Sequence, residues 1–200
     1  FYASCERVFN PSLQHKPIVI LSNNDGCIIS RSDEAKELGI PMGAPIFKYR
    51  KLLNTHNVQI LSSNYSLYGD MSSRVMSILK QFTPDIQVYS IDESFLKLDG
   101  FENYDLTNYG VIIKDRILKW TGIPTCVGIA PTKALSKVAN KIARKYPVET
   151  NGVYVIDSEI KITNALKWTK IKDIWGIGSK LSNRLSMKGC KNAYDFTQLP

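Results

Sequence analysis

The sequence predicts an α+β fold, a small sheet covered by helices, and three observations carry that expectation. Short β-rich runs alternate with helical periodicity along most of the chain. After about residue 163 the strand signals stop and short helical segments take over. The apolar share of 44% and the charged share of 22% over 200 residues are those of a globular chain with one large or two small domains.

In order, Pro17–Leu21 reads as a strand and Cys27–Ser30 as a second, joined through Asn23-Asn24-Asp25-Gly26, a strong hairpin signal. Ser32 or Asp33 then caps a short helix that ends at Gly39, and a second short helix spans Ile46–Leu53. Val58–Leu61 is a strand. Asn64 is the N-cap of a long helix to about Phe82, with Leu67, Met71, Val75, Ile78 and Phe82 on its buried side. A hairpin carrying Asp92 and Glu93 comes next. It is followed by a helix over Leu106–Trp120 with Ile112, Ile113, Ile117 and Trp120 as its core stripe. Thr125–Ile129 is a strand, Pro131 opens a basic helix, and Val153–Ile156 is a strand.

Composition excludes several classes. No apolar run approaches the roughly 20 residues of a membrane helix. Cys5, Cys27, Cys126 and Cys190 form no C-x-x-C pair, so a zinc site or disulfide framework is not expected and reduced thiols are. The chain opens on Phe1 without a signal-peptide pattern and is read as a fragment or a processed chain. Net charge is +8, concentrated in two stripes. Lys133, Lys137, Lys141 and Lys145 recur at four-residue spacing along one helical face. Seven basic residues lie between Lys167 and Lys191 against the single Asp173. One stripe reads as a solvated face; two in the same half favour a polyanionic partner such as nucleic acid.

Two segments carry chemistry. In Tyr89-Ser-Ile-Asp92-Glu93-Ser-Phe95, adjacent carboxylates sit between apolar strand residues, and the expectation is a rigid, partly buried seat for Mg²⁺. In Ile174-Trp175-Gly176-Ile177-Gly178-Ser179-Lys180, glycines precede a helix that continues through Arg184 and Lys188. Exposed N–H groups at such a helix start hold a phosphate without reading bases, the form of a helix-hairpin-helix turn.

Phe1-Tyr2-Ala3-Ser4-Cys5-Glu6, Leu21–Gly26, Ser62–Tyr65, Tyr89–Glu93 and Val127–Lys133 stand together in an order and spacing that resembles the Y-family translesion DNA polymerases. The resemblance is nearest to the polymerase V branch, the UmuC or ImpB/MucB/SamB family, and covers essentially the whole chain. It implies a ferredoxin-like palm over residues 1–10 and 67–163, a fingers insertion over 11–66, and the start of a helix-hairpin-helix thumb over 164–200. The little finger would lie beyond Pro200. The implied activity is error-prone, template-directed transfer of a nucleotide from a dNTP to a primer end, in the bacterial cytoplasm and within the SOS response to DNA damage. Primer-template DNA, a sliding clamp and accessory subunits are the implied partners.

By that resemblance Asp92 is a ligand shared by two Mg²⁺ ions, and Glu93 a ligand near the primer terminus. The family's first catalytic aspartate lies just before Phe1, so the chain as given is expected to catalyse poorly. Tyr2 matches the ring that excludes a 2′-hydroxyl. Ser30 and Lys36 match residues that hold the triphosphate, Lys36 replacing the usual arginine fork with a point charge. Asp33 stands where many relatives carry a tyrosine. Arg144 matches a lysine that reaches the terminal phosphates, and Phe1 with Tyr2 would offer backbone N–H groups. Gly176, Gly178 and Lys180 would bind DNA. The alternatives are a noncatalytic DNA-binding scaffold, with the Asp-Glu pair structural, and a nucleotide cyclase on a similar sheet.

Overall fold

The four residues of β1 (Ile18–Leu21) are all buried, and their alternation organises the first half of the chain. Ile18 and Ile20 face one core with Ala3, Cys5, Tyr68 and Met71, while Val19 and Leu21 face another with Ile28, Ala35, Ile40 and Leu53. A strand buried on both faces reads as a continuous apolar run, which is how Ile18-Val19-Ile20-Leu21 reads.

The computed structural model describes residues 1–199 and falls into two compact units, residues 1–97 with 117–124, and 98–116 with 125 onward. The first unit opens with α1 (Tyr2–Phe9), a helix for which the sequence reading gave no element. β1 pairs antiparallel with β2 (Ile28–Arg31), with Asp25 at φ +53° in the connecting turn, and parallel with β3 (Gln59–Leu61). Ser32 caps α2 (Asp33–Glu37), its hydroxyl accepting from the Ala35 N–H. Arg7 ties α1 to that region through Glu34 at 2.8 Å and the Lys16 carbonyl at 2.7 Å. α3 (Ile46–Thr55) and α4 (Tyr65–Leu79) complete the helices, Asn64 capping α4 by accepting from the Leu67 N–H. Phe82 is buried just beyond the end of α4. β4 (Ile86–Val88) and β5 (Ser94–Leu96) form an antiparallel hairpin.

α5 (Leu106–Thr121) starts where Asp105 accepts from the N–H groups of Thr107 and Asn108. Its buried line runs Ile113, Ile117, Thr121; Ile112 and Trp120 are 42% and 56% exposed, which corrects the core stripe read from sequence. Residues four apart stack on one face, and Thr121 keeps its place there by donating to the Ile117 carbonyl at 2.7 Å.

In the second unit, β6 (Val127–Ile129) and β7 (Val153–Val155) are parallel neighbours connected by α6 (Lys133–Lys145), with α7 (Pro147–Thr150) between α6 and β7. Thr132, not Pro131, sets the start of α6, its hydroxyl accepting from the Leu135 N–H. α8 (Glu159–Trp168), a 3-10 turn at Ile171–Asp173, α9 (Ser179–Met187) and α10 (Ala193–Thr197) follow. From the Asp-Glu hairpin on, the order strand, strand, helix, strand, helix, strand is the one read from sequence, with the short α7 added before the last strand, and the described strands occupy three small sheets. The fold is α+β.

Gly128 sets how closely α6 lies on β6. A Cβ there would stand 2.1 Å from the Asn140 backbone nitrogen and 2.4 Å from the Ser136 carbonyl oxygen. Neither backbone atom can rotate aside, and Asn140 also holds the contact by donating to the Cys126 carbonyl at 2.7 Å. Gly128→Ala is expected to cost about 3 kcal/mol, read as a lowered urea midpoint. Gly69→Ala, with nothing within 4 Å of the added carbon on α4, is expected to stabilise by up to about 1 kcal/mol, read as a raised urea midpoint.

Candidate active site

The acidic pair sits at the tip of the β4–β5 hairpin, and both Asp92 and Glu93 are exposed. This corrects the expectation of a partly buried seat. The N–H groups of Tyr89 and Ser90 both donate to the Glu93 carbonyl at 3.0 Å, closing a tight turn. That turn sends Ile91 inward to the core of Cys5, Ile18 and Tyr68 and sends the two carboxylates outward. The Ser90 hydroxyl donates to Asp92 Oδ1 at 2.8 Å and orients it. Apolar neighbours thus anchor the tip without covering it.

Electrostatics place other predicted residues around Asp92. Asp92, Lys36 and Asp33 all lie near enough to the Phe1 backbone nitrogen to act on charge there. Burial, Tyr65 and then Asp92 push the Tyr2 phenol up. Phe1, Tyr2, Lys36 and Asp92 therefore share one electrostatic neighbourhood in the first unit. Lys36 is an exposed charge paired to Asp33 at 2.6 Å, and Ser30 lies on β2 opposite Ile20.

Among the described residues no group of three or more His, Cys, Asp or Glu side chains gathers as a metal cluster. Asp92 and Glu93 do supply hard carboxylate oxygens on an accessible, fixed turn, the donor chemistry that Mg²⁺ takes while keeping several of its waters. The two residues fit that ion in kind.

Sequence reasoning missed the residues behind Tyr2. The Tyr2 ring stacks on Tyr68 at 4.3 Å between centroids and 13° between planes, and Tyr65 meets both edge-on at 6.1 and 6.2 Å. The Tyr68 hydroxyl donates to Glu6 at 2.7 Å. The usable signal was the spacing of Tyr68, three residues before Met71 on the buried side of α4.

Arg144, Gly176, Gly178 and Lys180 lie in the second unit. Gly178 is the N-cap of α9, Gly176 has φ +88°, and Lys180 is exposed. The lysine stripe of α6 has internal partners. Lys137 lies over the Trp175 ring at 5.4 Å, Lys141 pairs with Asp173 at 2.9 Å, and Lys145 lies over Trp168 at 5.2 Å. Trp168 in turn donates to the Tyr146 hydroxyl at 3.2 Å. The only acid of the second basic stripe is the one that holds the first, so the stripe joins α6 to the segment from Trp168 to Trp175.

No described helix is long and apolar enough to cross a membrane. Residues 1–141 match the model of the impB/mucB/samB family. Over 199 residues the chain is 45% identical to protein UmuC of Salmonella typhimurium, covering 99% of this chain and 47% of that protein. It is 32% identical over 202 residues to DNA polymerase IV of Saccharolobus solfataricus, covering 98% of this chain and 55% of that one. Among solved structures, DinB from Sulfolobus solfataricus matches with a TM-score of 0.84 at 30% identity, over 100% of this chain and 58% of that one. An insertion ternary complex of Dbh DNA polymerase matches with a TM-score of 0.84 at 31% identity, over 100% of this chain and 58% of that one. The chain thus spans about half the length of the curated relatives it matches.

Two outcomes are expected from this geometry. A double-mutant cycle on Lys141→Ala and Asp173→Ala should give a coupling of about 0.5 kcal/mol by urea unfolding, diminished in high salt because the pair is partly solvated. Burial pushes the Cys5 thiol up to about 11 and also raises the Tyr68 phenol, which is bonded to Glu6. Unfolded, these groups ionise near their ordinary values of roughly 8.5 and 10. Their contribution to stability is therefore intact below about pH 8.5 and declines as pH rises toward 11, measured as a falling urea midpoint. A midpoint that holds or rises across that range would contradict the assignment.

Proposed function

The chain belongs to the impB/mucB/samB family, and from that membership we propose that it is the catalytic part of an error-prone, translesion-type DNA polymerase. The observation that carries this reading is the exposed acidic tip itself, held by its backbone turn and by Ile91 against the same core that Phe1 and Tyr2 pack on. Such a neighbourhood suits a triphosphate and its sugar beside an accessible cation.

In this reading residues 1–10 and 67–163 are palm, 11–66 fingers and 164–200 the start of the thumb. Asp92 and Glu93 would hold Mg²⁺, which when bound activates the primer hydroxyl and neutralises charge on the leaving pyrophosphate. The chain's own groups bind and orient. Lys36 meets triphosphate charge as a point cation, steadied by Asp33 until substrate replaces that partner. Ser30 and the backbone N–H groups of Phe1 and Tyr2 would add hydrogen bonds, and by the family resemblance Arg144 is a further candidate for the terminal phosphates. Gly176, Gly178 and Lys180 hold the DNA backbone at the start of α9 as a helix-hairpin-helix, in the manner of sequence-independent phosphate binding. Primer-template DNA, a dNTP, a sliding clamp and accessory subunits are the partners of the full-length protein, in the cytoplasm at the nucleoid during the SOS response. The internal contacts of the α6 lysines weigh against a noncatalytic module that grips DNA chiefly through that helix.

The test is Mg²⁺-dependent primer extension by the full-length protein. Asp92→Asn and Glu93→Gln should each lower kcat by about a thousandfold, the scale of several kcal/mol of lost charge stabilisation. Both are exposed, so thermal unfolding should stay unchanged. Extension at the parental rate by both variants would overturn the reading.

A further inference from the structure

Tyr2 and Glu6 are four residues apart on α1 and so share one face of that helix. Both reach the same residue of α4. The Tyr2 ring lies flat on the Tyr68 ring, 4.3 Å away and 13° from parallel, and the Glu6 carboxylate accepts from the Tyr68 hydroxyl at 2.7 Å. Tyr68 is therefore gripped at its ring and at its tip by one face of one helix. We propose that Tyr68, anchored by Glu6, is the backstop that gives Tyr2 its power to discriminate between deoxyribose and ribose substrates. This rests on the reading of Tyr2 as the ring that faces the incoming sugar.

A ring that excludes a 2′-hydroxyl works only if it cannot retreat. An exposed tyrosine yields by moving to a neighbouring rotamer at the cost of a small fraction of the discrimination it must supply. Tyr2 has one face occupied by Tyr68, an edge contact to Tyr65 and a tilted contact to Phe1, both at 6.1 Å, and on the sugar-facing reading of Tyr2 the sugar presses on the face away from Tyr68. Pressure on that face is passed to Tyr68. Tyr68 is 0% exposed and packed among Ala3, Cys5, Ile18, Ile20 and Met71, so it has no space to move into. It can slide only along its own plane, and the bond to Glu6 opposes that motion. A hydrogen bond to a charged group is among the stronger kinds, and this one ties two helices otherwise joined by apolar contact.

A buried tyrosine needs a partner for its hydroxyl in any case, so the competing account is that Glu6 serves stability alone. The two accounts part on sugar selectivity. In the full-length protein, kcat/KM is measured for a dNTP and for the matching rNTP in wild type, Tyr2→Ala, Tyr68→Phe and Glu6→Gln. Tyr68→Phe keeps the stacked ring and removes only the anchored hydroxyl; Glu6→Gln keeps shape and removes charge. Both should lower the dNTP-to-rNTP ratio by about tenfold, the worth of one hydrogen bond, through faster rNTP insertion with dNTP insertion retained. Unfolding would depress both rates together, so a changed ratio cannot arise from it. If Tyr2→Ala relaxes selectivity while Tyr68→Phe and Glu6→Gln lower only the melting temperature, the backstop is refuted and the Tyr2 reading stands. If Tyr2→Ala leaves the ratio unchanged, the Tyr2 reading fails, and the backstop with it.

Discussion

The two-sided burial of β1 is the constraint on which the first unit depends. Ile18 and Ile20 bring α1 and α4 to one face of the strand, and Val19 and Leu21 bring α2 and α3 to the other. α1 carries Tyr2 and Glu6, α2 carries Lys36, and Ile91 pins the acidic tip to the same core as Tyr68. Side chains from helices on opposite faces of one strand thus reach a common neighbourhood, because four apolar residues leave neither face free to shift. A polar residue at any of the four positions would leave an unpaired group in one core. The site would then lose its alignment before the fold lost its outline.

Much of this was legible in the sequence because it follows local rules. The Asp25-Gly26 turn, the Ser32 and Asn64 caps and the order of strands and helices after the acidic pair all come from short-range chemistry that tertiary contacts did not override. α1 was not legible, since eight residues with one polar turn carry too little periodicity to identify a helix. Ile112 and Trp120 were misplaced because apolar residues at nearly helical spacing describe a broad stripe, and only the narrower line through Ile113, Ile117 and Thr121 faces the interior. The Tyr68–Glu6 bond joins residues 62 positions apart, a distance no local pattern reports.

The basic stripes show the same limit in electrostatic form. Lysines at four-residue spacing with no acid on their own helix favour an external anion while partners are sought within the helix. The partners come from elsewhere in the same unit: the faces of Trp168 and Trp175, and the carboxylate of Asp173. Tryptophan is the best ring for a cation, and each such contact is worth about 0.5–1 kcal/mol at an exposed site. Two of them with one ion pair join α6 to the Trp168–Trp175 segment, beside an apolar cluster in which Ala139 and Ile142 of α6 meet Trp168. The polar part of this joint is sensitive to salt and to competing anions in a way that its apolar part is not.

The position of Asp92 and Glu93 also follows from cost. Two adjacent carboxylates buried between apolar strands would face a desolvation penalty and mutual repulsion. At an exposed tip the penalty largely vanishes, and precision must come from the backbone. The turn supplies it, since two N–H groups converge on the Glu93 carbonyl and the Ser90 hydroxyl fixes one oxygen of Asp92. Mg²⁺ is reluctant to shed water, so a seat open to solvent on one side suits it better than a closed cage would. Exposure at the tip is therefore the arrangement the chemistry requires: the apolar frame holds the turn, and the turn presents the charge.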